Sequence, residues 1–234
     1  MSGLGKKSME AMGSAFSSLA QAMAVKMATI LGEAAEAVDE VTVATSDFRD
    51  FSQAVSQGDL EGAALGIRRG FANQRFPGTW RSTALMHAAD NSDISMIRLL
   101  LPDSDPSLVD ASGRDALMRA AIAANPAAVK ILALLCNPKL VDNNGDSALS
   151  IAAGNPRRCS HEEDLAVIRE LLPISNPLSV NGHGLTASQF AARGGEAKRA
   201  ELIDAWCLMR AEKRLLAKIA GAARRSAEAK TPRL

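Results

Sequence analysis

Apolar positions along this chain recur in two registers. Between residues 84 and 192 short apolar clusters at helical spacing alternate with polar, Asp-, Asn- and Gly-containing breaks. Ile94, Ile97, Leu100 and Leu101 share one helical face, as do Val129, Leu132, Leu134 and Leu135, and then Leu165, Ile168, Leu171 and Leu172. Spacings of three and four put side chains above one another on a helix. Each of these segments follows a shorter, alanine-rich one, so the pattern predicts paired short helices. Residues 1–45 carry Met12, Phe16, Leu19, Met23, Met27 and Ile30 at mixed helical spacing, which predicts an amphipathic extension. From about Glu196 onward the chain reads as one long helix, with Ala197, Ala200, Ile203, Trp206, Met209 and Leu216 available to seal the preceding core.

The clusters are repeats. Asp110-Ala111-Ser112-Gly113-Arg114-Asp115-Ala116-Leu117 is echoed by Asp142-Asn143-Asn144-Gly145-Asp146-Ser147-Ala148-Leu149, and more loosely by the segment opening at Asn181. Paired small residues beginning at Ala54, Ala88, Ala120, Ala152 and Ala191 fall at intervals of 34, 32, 32 and 39. A fixed period in this range signals stacked supersecondary units. Asp105-Pro106, Asn137-Pro138 and Asn176-Pro177 recur in phase with them, and each Pro closes the helix before it. Every unit thus reads turn, short helix, second helix, loop.

These residues resemble the ankyrin repeat family. Thr83-Ala84-Leu85-Met86-His87-Ala88-Ala89 and the segments starting at Asp115, Ser147 and Thr186 are similar to its first-helix motif, and Asp93 to Leu101 to its second helix. Residues 49–75 look like a degenerate first unit. The resemblance implies an all-α, ankyrin-like helix-turn-helix solenoid of about five units over 46–206. It would be flanked by the extension 1–45 and by a basic helix and tail over 207–234. The family's Pro at the first helix is Ala in the four clearer units, which should weaken each of them somewhat. Its linking His is replaced by Met86, Met118, Ser150 and Gln189, which implies that apolar stacking carries more of the coupling between units. The last interval holds an insertion, residues 154–163, and insertions map to loops.

Such stacks bind proteins through their turn tips and first-helix face. Matching positions place Thr79, Trp80 and Ser82 there, with Met86 on the helix behind them. Ala111, Ser112 and Arg114 follow, then Asn143, Asn144 and Asp146, then Gly182, His183 and Leu185. Trp80 stands out because a large ring desolvates well and still donates a hydrogen bond. It could equally cover the junction with the N-terminal block, and Arg114 could form a surface ion pair with Asp146.

Composition narrows the chemistry. Aromatic residues make up only 3% of the 234, with no Tyr, so the core is built from Ala, Leu, Ile, Val and Met. A net charge of +1 gives no strong field toward nucleic acid. Cys136, Cys159 and Cys207 are too few and scattered for a disulfide framework. His87, His161 and His183 form no triad pattern, and Cys159-x-His161 has no matching ligand pair. Neither enzyme, metal nor cofactor is expected. No stretch suits a secretory signal or a membrane span, so a cytoplasmic protein, or one delivered into a host cell as a bacterial effector, is expected.

The function expected is a non-enzymatic adaptor or inhibitor for a protein partner. The alternative is a membrane- or assembly-associated protein whose N-terminal helix is the working part, with peripheral membrane contact by the terminal helices. The basic C-terminal helix reads first as a solvated face that caps the stack, and otherwise as a contact with anionic membrane or nucleic acid or as an export signal.

Overall fold

A computed structural model describes residues 47–76, 80–154 and 161–228. The chain divides into the units Met1–Asp50 and Phe51–Leu234, and the account below concerns the second. The expected N-terminal extension lies outside the described residues.

Among the described residues five helix pairs follow one another. They are α1 (47–57) with α2 (Leu60–Arg68), α3 (Ala84–Asp90) with α4 (Ile94–Leu100), α5 (Ala116–Ile122) with α6 (Pro126–Leu132), α7 (Ala148–Gly154) with α8 (His161–Leu171), and α9 (Ala187–Arg193) with α10 (Ala197–Glu228). Most have seven residues, too few to hold a helix in water unaided. Tertiary packing stabilises them. The first helices α3, α5, α7 and α9 stack in one row, and α2, α4, α6, α8 and α10 in a second. Among the described residues there are no strands, only isolated antiparallel bridges at the turn bases.

The first helices α3, α5 and α7 are buried on nearly every side, whereas α9, the last of its row, buries only Ala187 and Ala191. Ala84, Leu85, Met86, Ala88 and Ala89 on α3 are matched by Ala116, Leu117, Met118, Ala120 and Ala121 on α5. Alanine on three sides lets backbones approach closely, and one Leu and one Met per unit fill the remaining space. The second helices bury one stripe only, such as Met96, Ile97 and Leu100, or Ala128, Val129 and Leu132. Leu134 and Leu135, read as part of that stripe, follow the end of α6 and are exposed.

Helix starts are capped despite the missing Pro. Asp115 accepts from the Met118 N–H at 2.8 Å, Ser147 Oγ from Ser150 at 3.2 Å, and Thr186 pairs reciprocally with Gln189. Met86 Sδ accepts from the Thr83 N–H at 3.4 Å. The turns between paired helices carry a left-handed residue at Gly58, Ser92, Ala124 and Gly195, which is a repeated feature of backbone geometry. Gly194-Gly195 forms the turn between α9 and α10.

The C-terminal seal is shorter than expected. Arg199, Ala200 and Ile203 are buried, whereas Met209 and Leu216 are exposed and Trp206 is half-buried. The reason is length: α9 is seven residues long, so the helix packed on it soon runs beyond its neighbour. α10 continues without a break through residue 206.

Candidate functional site: the row of turn tips

The turns before α5, α7 and α9 share one construction. Asp110 Oδ1 accepts from the N–H groups of Ser112 (2.7 Å) and Arg114 (3.0 Å). Asp142 does the same for Asn144 (2.9 Å) and Asp146 (3.0 Å), and Asn181 for His183 (3.0 Å) and Leu185 (3.1 Å). Gly113, Gly145 and Gly184 follow at φ +78°, +75° and +72°. An Asx side chain closing its own turn, with a Gly where φ must be positive, explains why this phrase repeats in the sequence.

The tips are also tied to one another. The Ala111 N–H donates to the Trp80 carbonyl at 2.8 Å, Asn143 to Ser112 at 3.0 Å, and Gly182 to Asn144 at 2.9 Å. Asn143 Nδ2 adds a bond to the Ala111 carbonyl at 3.1 Å. A hydrogen-bonded ribbon therefore runs along one edge of the stack. Gly182 is required by this approach, since a Cβ there would sit 2.3 Å from the Asn144 carbonyl oxygen.

Behind the ribbon lies a polar ladder. Arg119 on α5 donates through Nε to Asp110 at 2.9 Å and through Nη1 to Asp90 at 2.9 Å. Arg114 Nε reaches Asp142 Oδ2 at 3.0 Å, and Asn181 Nδ2 reaches Asp146 Oδ1 at 2.9 Å. The coupling expected to pass to apolar stacking is thus shared with ionic pairs one period apart. Arg114 pairs with Asp142, whose side chain is fully buried, and not with Asp146. In the last unit Arg199 is buried against Asp164 and also faces the Ala152 and Ala153 carbonyls at 3.5 and 3.3 Å.

The expected binding residues separate into two groups. Trp80 is 72% exposed at one end of the ribbon, with φ +50°. Asn144 and His183 are exposed farther along, and Ser112, Arg114 and Leu185 are half-buried. Ser82, Met86 and Asp146 are buried, so no partner touches them directly. Met86 faces inward because the first helix is enclosed by its neighbours, and Asp146 because it receives Asn181 of the next unit. Thr79 and residues 155–160 of the insertion lie outside the described residues, while Gly154 ends α7 and residues 161–163 open α8. Ala111, Asn143 and Gly182 are exposed on the ribbon.

Three arginines were not legible as functional. Arg75 Nη1 donates to the carbonyls of Arg81 and Val109, tying the residue after Trp80 to the next unit. Arg119 and Arg199 complete the set. The available signal was opposite charges roughly one period apart, such as Asp90 and Arg119.

Titratable groups in the stack are tuned by burial. Burial lifts Asp115 to about 6 against its hydrogen bonds from backbone N–H groups, and lifts the Cys136 thiol to about 12. Burial lowers His87, with Asp90 opposing the shift and Arg119 adding to it. Among the described residues no His, Cys, Asp and Glu side chains gather as a metal site, and no helix is long and apolar enough to cross a membrane.

Residues 51–135 match the family model described as ankyrin repeats (3 copies). A comparison with curated proteins finds no match. Residues 51–135 carry ankyrin repeats, and the same helix-pair construction continues beyond the matched segment through α7–α10. Ankyrin repeats are protein-protein interaction modules, typically without catalytic activity.

Proposed function

We propose that this protein is a non-enzymatic adaptor or inhibitor that grips one protein partner along the ribbon of turn tips, with Trp80 as its anchor. The observation that carries this reading is the unit-to-unit hydrogen bonding from Trp80 through Ala111, Ser112 and Asn143 to Asn144 and Gly182. It fixes the backbone beneath an exposed indole and several exposed polar side chains. Little conformational entropy is then lost on binding, and a Trp with a free face is the residue type most often dominant in an interface. Arg114 supports this surface from behind, because its guanidinium is occupied by Asp142.

The test begins with the partner recovered by affinity purification and identified by mass spectrometry. Trp80→Ala with His183→Ala should then raise the dissociation constant by about thirtyfold or more, as loss of a hot-spot residue does. The melting temperature should stay near that of the wild type, since both side chains are exposed. A photo-crosslinker at position 80 or 144 should capture the partner, and one at Lys130 on the second-helix row should not. Unchanged affinity in the double variant overturns the assignment.

A further inference from the structure

A second site lies away from the turn tips. The loop joining α8 to the last turn, residues 173–178, and the α10 segment 206–214 enclose a cleft of about 560 Å³, with Lys139 of the preceding unit at its edge. Arg210 and Arg214, one helical turn apart on α10, face into it together with Lys139, and among the described residues no carboxylate lines it. The Arg210 guanidinium lies 4.8 Å from the centre of the Trp206 ring, which holds the cation over an aromatic face. At the wall, Ser175 is more than nine-tenths buried, and its Oγ has no hydrogen-bond partner among the described residues. A buried hydroxyl without a partner costs free energy that a bound acceptor would recover.

From this arrangement we infer that the cleft binds an acidic peptide segment of another protein. Two guanidiniums at helical spacing suit carboxylates, which they meet through paired N–H donors. The Ser175 hydroxyl supplies a neutral donor to the same ligand, and the Trp206 ring an apolar wall. A single aromatic residue offers too small a platform for successive bases of a single-stranded nucleic acid. A membrane surface would not reach a hydroxyl set into the wall of a cleft.

The chain's tryptophans are Trp80 and Trp206, so full-length protein carrying Trp80→Phe reports on the cleft alone. Titration with a synthetic Glu-rich peptide should change Trp206 emission saturably. Arg210→Glu with Arg214→Glu should weaken binding about tenfold or more, as reversal of complementary charges does. Lys213→Glu with Lys218→Glu makes the same charge change on the same helix outside the cleft, and should leave affinity within about twofold. Ser175→Ala should weaken the peptide without lowering the melting temperature. Circular dichroism confirms that each variant is folded. Absence of a saturable change, equal losses in the two charge-reversed pairs, or stronger binding to polyuridylate or phosphatidylserine vesicles overturns the proposal. Because Trp80 is replaced throughout, the outcome is independent of the turn-tip surface.

Discussion

Replacing Arg199 with Met should unfasten the C-terminal end of the stack. Arg199 and Asp164 are 2% and 4% exposed, and Arg199 also faces the last carbonyls of α7 at Ala152 and Ala153. Methionine fills much of the same volume and keeps the helix, so packing and propensity change little. The electrostatic change dominates: Asp164 is left as a buried carboxylate without its cation, and removal of one partner of such a pair costs about 3–5 kcal/mol. Urea denaturation followed by far-UV circular dichroism measures the loss. In a stack where units touch only their neighbours the damage should remain local. Amide exchange should therefore accelerate in α8, α9 and α10 and stay near wild type in α3 and α5. Arg199→Met with Asp164→Leu removes both charges and should recover most of the loss, returning to within about 1 kcal/mol of the wild type. If Arg199→Met alone costs less than about 1 kcal/mol, the buried pair is not what holds α10 to the stack.

Three further outcomes test the turn and cap geometry. Gly182→Ala should cost about 1–3 kcal/mol in urea melts, because its Cβ would displace the Asn144 carbonyl and break a 2.9 Å bond between units. Ala124 sits at φ +55°, so Ala124→Gly should relieve strain and raise stability by roughly 0.5–1 kcal/mol in the same assay, in spite of glycine's larger unfolded-state entropy. Asp115 has a folded pKa of about 6 against 3.8 for an unperturbed aspartate, so the folded chain binds more protons between those values and the residue destabilises the fold as pH rises through them. Asp115→Ser keeps the cap and should be more stable than the wild type above that window. The gain should shrink as pH falls toward 3.8, and a gain independent of pH would show that the buried charge is not its source.

The repeat and its phase were legible along the chain because they arise from local chemistry. Asp110, Asp142 and Asn181 close turns with N–H groups two and four residues away, and a glycine follows where φ is positive. The alanine-rich first helices and leucine-bearing second helices are equally local, since helical periodicity needs no knowledge of the neighbour. Trp80 was placed at the tips by its matching position in the repeat, and it is exposed there. What lies inside was not legible. Ser82, Met86 and Asp146 occupy motif positions that read as outward, yet stacking turns them inward.

The sequence by itself determined the repeat period, the turns that separate the units and the central residues of most helices, because each depends on residues within one period. Tertiary structure alone decided which charged and polar side chains meet. Arg119 with Asp90, Arg114 with Asp142, Asn181 with Asp146 and Arg199 with Asp164 are separated by 28 to 35 residues and come together only when one unit settles on the next. The cleft beside α10 exists for the same reason, since Lys139, the Ser175 loop and the α10 segment with Trp206, Arg210 and Arg214 are distant in the chain. Stacking register, set by close approach of alanine and glycine backbones, converts a local pattern into these distant pairs.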